Sequence, residues 1–320
     1  MDILRRISVF APATVANVAS GFDVIGFALD TPGDTVVLTR ISEKVVRVVS
    51  ITGDDGKLPT DAAKNTAAVA ATGFLKKIGF PFGVEIQLEK QMPLSSGLGS
   101  SAASSVAAVY GANLMAGSPL SARELLPFTM EAERIACGSA HADNVAPALL
   151  GGFVLIRSYS PLDVVQLPVP AGLAAAVVHP HTELRTEDAR RVLKKEIRLA
   201  DAIRQWGNLA ALVAALFNGD MQLLGRSLQD VVAEPARSLL IPGFDSVKAA
   251  ALNAGALGCS ISGSGPSVFA LCDAKETAAK AGDAMAKAFR AAGLACDLYL
   301  SAVNTKGPVV LESETEGAEK

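Results

Sequence analysis

Residues 93–105, Pro-Leu-Ser-Ser-Gly-Leu-Gly-Ser-Ser-Ala-Ala-Ser-Ser, concentrate the residue types that hold a polyanion. Gly97 and Gly99 let the backbone bend tightly, and serines surround the bend before a run of small residues opens a helix. Such a loop aims N–H groups at one point, where the positive end of the helix dipole adds to them. A phosphate suits that chemistry. Three other readings compete. Gly97-x-Gly99-x-x-Ala102 fits the dinucleotide fingerprint, which needs a strand running straight into the first glycine and an acid about 20 residues on. The alternating strand at 84–89 stops well short of Gly97, and Glu124 lies in a helix-like run. A Walker A loop needs Gly-Lys-Ser/Thr, yet no lysine lies between Lys90 and Arg123. The remaining reading is a Ser/Gly turn ahead of an Ala-rich core helix.

Three further segments carry candidate groups. Residues 11–26 set Asn17 and Asp23 among small apolar residues, where loop capping is the plain explanation. Residues 133–144 gather Glu133, His141, Asp143 and Asn144. A second glycine-rich stretch, Ser262-Gly263-Ser264-Gly265-Pro266, precedes an apolar strand; alone it reads as a hairpin turn, and with the first loop it offers to close on a ligand from the opposite side.

The positioning elements are mixed α/β. Strands are expected at 36–38, 45–51, 84–89, 151–156 and 298–303, with a strand pair around Gly263 to Gly265. Helices are expected at 65–77, 101–115 and 274–292. Ile203, Trp206, Leu209, Ala210, Val213, Leu216 and Phe217 recur at helical spacing and predict one core-facing stripe. Prolines crowd residues 157–172 and mark a boundary between domains at 1–160 and 161–320, and an acidic tail from Glu312 is expected to fray.

With 320 residues, half of them hydrophobic, the chain can bury a large core in about two domains. A net charge of −3 without long charge runs gives no sign of a nucleic-acid or membrane partner. No stretch reaches the roughly 18 apolar residues of a membrane span, and residues 1–6 lack a signal-peptide core. Cys137, Cys259, Cys272 and Cys296 are scattered without metal-like spacing, as buried thiols of a cytoplasmic enzyme would be.

Together these segments resemble the GHMP kinase superfamily over nearly the whole chain, with its three motifs in order. Within it the chain is similar to the homoserine kinases. The carrying residues are Ala11 to Thr14 with Asn17, Gly21-Phe22-Asp23, the run from Gly138 to Pro147, Ala233-Glu234-Pro235-Ala236-Arg237, and Ile241-Pro242-Gly243-Phe244. The central loop identifies only the superfamily; the His-Ala-Asp-Asn-Val-Ala-Pro and Glu-Pro-x-Arg segments are more specific.

The resemblance implies an α+β two-domain GHMP kinase fold. Its N-terminal, ATP-binding domain is like the second domain of ribosomal protein S5, and its C-terminal domain is ferredoxin-like. The implied activity is phosphorylation of the side-chain hydroxyl of L-homoserine by Mg-ATP, toward threonine synthesis, by a homodimer. Asn65, Pro93, Ser96, Gly97, Leu98, Gly99, Ser100 and Ser101 are the implied ATP-binding residues, with a helix cap as the other reading of Asn65. Glu133 is the implied Mg²⁺ carboxylate, sharing the ion with Ser100 or Ser101. Thr14, Asn17, Asp23, His141, Asn144, Arg190, Arg237 and Gly263 form the implied substrate site: Asp23 meets the ammonium, and Arg190 and Arg237 meet the carboxylate. Asn144 stands where several relatives in the superfamily carry a catalytic Asp. Catalysis by Asn144, Glu133 and Ser101 is therefore expected to rest on positioning and charge stabilisation. A mevalonate- or polyol-type kinase, a nicotinamide-dependent oxidoreductase and a non-catalytic nucleotide-binding module are the alternatives.

Overall fold

The computed structural model describes residues 3–138 and 141–316. Ser139 and Ala140 of the family-like segment, the Cys137 side chain and residues 317–320 lie outside the described residues.

The first half of the chain supplies six strands of a seven-stranded sheet. β1 (Leu4–Ala16) and β2 (Ile25–Ile41) form a long antiparallel pair, β4 (Gly83–Glu89) joins β2, and β3 (Val46–Thr52) lies parallel to β4 at the edge. β5 (Phe153–Tyr159) pairs with the start of β2 and with β6 (Leu162–Leu167). In β4, Val84, Ile86 and Leu88 are buried while Gln87 and Glu89 are exposed, as period-two alternation requires. Four helices cover the buried face: α1 (Thr66–Lys77), α2 (Ser100–Met115), α3 (Ala122–Cys137) and α4 (Ala142–Leu150). α2 is buried almost all round, and its alanines and Gly111 let it lie close to β1 and β2.

The second half builds a four-stranded antiparallel sheet from β7 (Ala174–Pro180), β8 (Gly258–Ile261), β9 (Val268–Cys272) and β10 (Cys296–Ala302), in the order β10-β7-β9-β8. β7 reads Ala-Ala-Ala-Val-Val-His-Pro and is buried throughout. α9 (Phe244–Asn253) and α10 (Lys275–Ala291) pack together on this sheet. Shorter helices α5 (Thr186–Arg191), α7 (Met221–Ser227) and α8 (Glu234–Arg237), and the long α6 (Leu199–Asn218), fill the connection. Phe27 joins the halves: its ring lies 4.8 Å from Phe153 and 6.0 Å from Phe269.

Four expectations change. The tail does not fray at Glu312, because β11 (Val309–Thr315) pairs with β1 and Arg6 faces Glu312 and Glu314. The hairpin β5–β6 straddles residue 160, so the 1–160 and 161–320 division cuts a paired element, and β11 returns to the first sheet. The expected core stripe of α6 is largely outside. Leu212, Ala215 and Leu216 are buried, but Ile203, Trp206 and Phe217 are 56%, 60% and 62% exposed. The helix is apolar on two sides and spends only one on its neighbours. Finally, the two glycine loops do not oppose each other; they touch, as described below. Among the described residues, no helix is long and apolar enough to cross a membrane. Cys259 and Cys272 are buried and Cys296 is half-buried, in line with the reading of inert thiols.

Candidate active site

The serine-glycine loop has the shape expected of a phosphate cradle. Gly97 and Gly99 take φ of +78° and +70°, and neither position admits a side chain. A Cβ on Gly99 would lie 2.1 Å from Thr14 Oγ1, and one on Gly97 would lie 2.4 Å from Ser262 O. Gly99 caps α2, so the unpaired N–H groups of that helix's first turn belong to the loop. Ser262 Oγ donates to Gly97 O at 2.7 Å, and Ser267 N donates to Ser96 O at 3.3 Å. The second glycine loop thus buttresses the first from the other half of the chain.

One buried ion pair holds both ends of the loop. Asp34 on β2 accepts from Gln91 N (2.8 Å) and Met92 N (3.1 Å) at the entry, and from Ser100 Oγ (2.7 Å) at the exit. Lys90 pairs with Asp34 and donates to Ser104 Oγ (2.7 Å) and Ser100 O (3.0 Å). Burial lowers the Lys90 pKa, and the Asp34 charge opposes that shift. No sequence motif announced this pair, since Lys90 and Asp34 are 56 residues apart.

Beside the loop lie the carboxyl groups. Ser101 Oγ donates to Glu133 Oε2 at 3.0 Å, while Glu133 Oε1 is buried without a protein partner. Burial raises the Glu133 pKa to about 7, against the lowering effects of Ser101 and Lys90. Of the two serines expected near a metal, Ser101 meets Glu133; the Ser100 hydroxyl is instead engaged by Asp34. Thr14 Oγ1 donates to Asn144 Oδ1 at 2.8 Å, which occupies the acceptor of that amide and leaves its N–H groups as donors. Asp143, adjacent in sequence, borders the same cavity; burial and then the Asp23 charge raise its pKa to about 7.

The remaining groups form a charged end. Asp23 sits in a loop where Asn17, Val18, Ala19 and Asp23 all have positive φ, a strained conformation that functional loops retain. Asn17 holds that loop, accepting from Asp23 N (2.9 Å) and donating to Gly263 O (2.6 Å). Arg190 Nη2 donates to both Asp23 carboxylate oxygens, at 2.8 and 3.0 Å, and approaches His141 Nδ1 at 3.3 Å. Arg190 Nε is buried without a protein partner. Arg237 donates to Ala189 O and Gly263 O, both at 3.0 Å, and its guanidinium lies 4.9 Å from the centre of the Phe22 ring. Burial and the Arg190 charge lower the His141 pKa, so the ring is neutral at pH 7. Phe22 was quoted in the sequence only as part of a motif; its position beneath a guanidinium appears with the fold.

These groups surround a cavity of about 680 Å³. Asn17, Asp23, His141, Asn144, Arg190, Arg237 and Gly263 border it, as do Ser96, Gly97, Gly99, Ser100, Ser101 and Glu133. Asn65 borders it too and also caps α1, accepting from Ala67 N and Ala68 N, so both readings of that residue apply. Three expected residues do not line it. Leu98 is a core side chain whose carbonyl accepts from Thr14 N, Thr14 stands behind Asn144, and Pro93 is half-buried ahead of the bend. Among the described residues, five have buried side-chain polar atoms without a partner, and four of them (Ser96, Glu133, Asp143 and Arg190) border this cavity. Unpaired buried polar atoms are costly, and their concentration here marks a place built for a polar ligand.

The chain is similar to known proteins over nearly its whole length. The family model for the GHMP kinases N terminal domain matches residues 65–152, and that for the GHMP kinases C terminal matches residues 212–291. A homoserine kinase of Chlorobium phaeovibrioides is 54% identical over 320 residues, spanning 96% of this chain and 100% of the relative. Another, of Chlorobaculum tepidum, is 51% identical over 322 residues, spanning 97% and 99%. Among solved structures, a homoserine kinase from Cytophaga hutchinsonii superposes with a TM-score of 0.95 at 59% identity, covering 97% of this chain and 99% of that one. The chain belongs to the homoserine kinase family of the GHMP kinases.

Proposed function

We infer that this protein transfers the γ-phosphoryl group of ATP to the side-chain hydroxyl of L-homoserine, giving O-phospho-L-homoserine and ADP for threonine synthesis. The observation that carries this reading is the single cavity in which a backbone phosphate cradle and a matched anion–cation set, Asp23 with Arg190 and Arg237, face the same space. A zwitterionic acceptor needs both charges; mevalonate or a polyol would leave Asp23 without a use.

The cradle, with N–H groups of residues 97 to 101, holds the triphosphate, and Asn65 meets the adenine. Asp23 receives the ammonium and Arg190 Nε the carboxylate, helped by Arg237. Glu133 Oε1, buried without a protein partner, and the Ser101 hydroxyl beside it are hard oxygen donors, a set that fits Mg²⁺. When bound there, the ion supplies charge neutralisation for the phosphates. Asn144 donates to the acceptor hydroxyl and aligns it, since Thr14 already occupies its oxygen. His141 Nδ1 faces the Arg190 guanidinium and is a poor base there. The hydroxyl proton therefore passes late, to the transferred phosphate, and alignment does most of the work. A homodimer is part of the same reading.

A coupled ADP-release assay with Mg-ATP tests it, comparing L-homoserine, D-homoserine, L-serine, L-threonine and mevalonate, with products identified by phosphorus NMR. Turnover confined largely to L-homoserine with a phosphomonoester product is expected. Preferential turnover of mevalonate would overturn the roles given to Asp23, Arg190 and Arg237.

A further inference from the structure

The exposed side of α6 is a large apolar feature that neither the core nor the cavity uses. Leu199, Ile203, Trp206, Ala210, Ala214 and Phe217 follow one another at three- or four-residue spacing, which keeps them on one face along the whole helix. All six are exposed, and Leu199, Ile203, Trp206 and Phe217 are each more than half exposed. The opposite face is committed. Leu212, Ala215 and Leu216 enter the core, and Gln205 bonds to Ser20 O and to Asp230. Soluble monomers rarely leave a continuous apolar stripe with a tryptophan at its centre in water, and such stripes mark association surfaces.

The order of sizes along the stripe says what covers it. Large residues occupy its first half, small ones follow, and Phe217 closes it. Laid antiparallel on a copy of itself about a twofold axis near Asn208 and Leu209, the stripe is self-complementary. Leu199 then faces Phe217, Ile203 faces Ala214, and Trp206 faces Ala210, so the inner bulky side chains Ile203 and Trp206 each meet an alanine and the two ends pair large with large. The same arrangement brings Arg198, at the start of one helix, to Asp220, just past the end of the other. It also sets the two helix dipoles head to tail. A parallel pairing would stack Trp206 on Trp206 and Arg198 on Arg198. We propose that α6 is the twofold interface of a homodimer, docked antiparallel on α6 of a second copy. This names the face for the homodimer included in the proposed function and rests on that part of the reading.

Sedimentation velocity over a dilution series, with emission of the chain's single tryptophan followed in parallel, tests the proposal. The wild-type protein should sediment as a dimer, and Trp206 emission should shift to the red as the dimer dissociates. Ile203→Glu, at an exposed position where folding is little affected, should weaken the dimer by roughly thirtyfold or more. Leu239→Glu, more exposed still but off this helix, should leave it intact. A wild-type monomer at every concentration would overturn both the face and the homodimer. A dimer that survives Ile203→Glu, or whose dissociation leaves Trp206 emission unchanged, would overturn the face alone. Homoserine kinase activity is scored separately, so failure of the catalytic reading is distinguishable from failure of the interface.

Discussion

The two ends of the cavity meet charge by opposite means. At the phosphate end, backbone N–H groups face the ligand, and Lys90, which touches the loop, is already neutralised by Asp34 with both side chains almost wholly buried. At the amino-acid end, side-chain charges face the ligand and are paired with one another. Asp23 and Arg190 keep about a third of their surface exposed, at 30% and 33%. The first arrangement is rigid and costs nothing to reorganise when ATP arrives. The second must open: a bound zwitterion replaces one ion pair by two. Partial exposure makes opening less costly than breaking the Asp34–Lys90 pair: solvent-exposed pairs are worth about 0–1 kcal/mol, whereas breaking a buried pair costs about 3–5 kcal/mol. On the proposed reading, affinity for phosphate resides in geometry, and selection of the acceptor resides in charge balance.

The largest effect is expected at Asp34. Asp34→Ala leaves Lys90 buried without its counter-charge and frees both ends of the loop. Denaturant unfolding should show a loss of roughly 3–5 kcal/mol, and kcat should collapse in whatever folded protein remains. Stability within 1 kcal/mol of wild type would show that the pair does not hold the loop.

Next comes Gly99→Ala. The added methyl meets Thr14 Oγ1, itself bonded to Asn144, at a backbone angle that disfavours any Cβ. A fall of about a hundredfold in kcat/KM for ATP and homoserine alike is predicted, of the size expected for an ångström-scale misplacement. An unchanged rate would remove the loop from the reaction.

Substitutions at the charged end should separate the two substrates. Arg190→Gln is expected to raise the homoserine KM by about a hundredfold, the loss of one charge-assisted bidentate contact, with the ATP KM nearly unchanged. Asp23→Asn should do the same. Because each also frees the other's charge, the double variant should be less impaired than the product of the two single effects. Strict multiplicativity would argue against a resting pair that the substrate opens.

The smallest effect concerns pH. Burial raises the Asp143 pKa from 3.8 to about 7 and that of Glu133 from 4.5 to about 7. A raised carboxyl pKa means the folded state holds its proton more tightly than the unfolded state. Its stabilising contribution is complete below the unfolded value and is lost as pH climbs to about 7. Thermal unfolding followed from pH 4 to 8 should show this fall, and Asp143→Asn should flatten part of it.

What could be read from the sequence follows the same division. The phosphate loop was legible because its chemistry is local: the glycines, serines and helix start are contiguous, and Asn65 sits one residue before α1. The charged end assembles Asp23, His141, Arg190 and Arg237 from four distant segments, so spacing alone is silent about their grouping; Asp23 and His141 stood out in their own segments, and only the family resemblance added the two arginines and gave all four a role. Asp34 with Lys90 escaped both routes. A strand aspartate and a lysine ahead of a loop look like surface residues until β2 and β4 are paired. The α6 stripe misled for a related reason: periodicity reports an apolar face, not whether the same chain covers it.

The most direct measurement is calorimetric titration of the wild-type protein with L-homoserine, 4-hydroxybutanoate (no ammonium), 3-aminopropan-1-ol (no carboxylate) and 1-propanol. If a zwitterion opens the Asp23–Arg190 pair, each single-charge analogue must leave one member of that pair uncompensated. Both should bind at least about a hundredfold more weakly than L-homoserine and no better than the uncharged alcohol, which leaves the pair closed. Binding of either single-charge analogue within about fivefold of L-homoserine, a difference of about 1 kcal/mol, would contradict recognition by charge exchange.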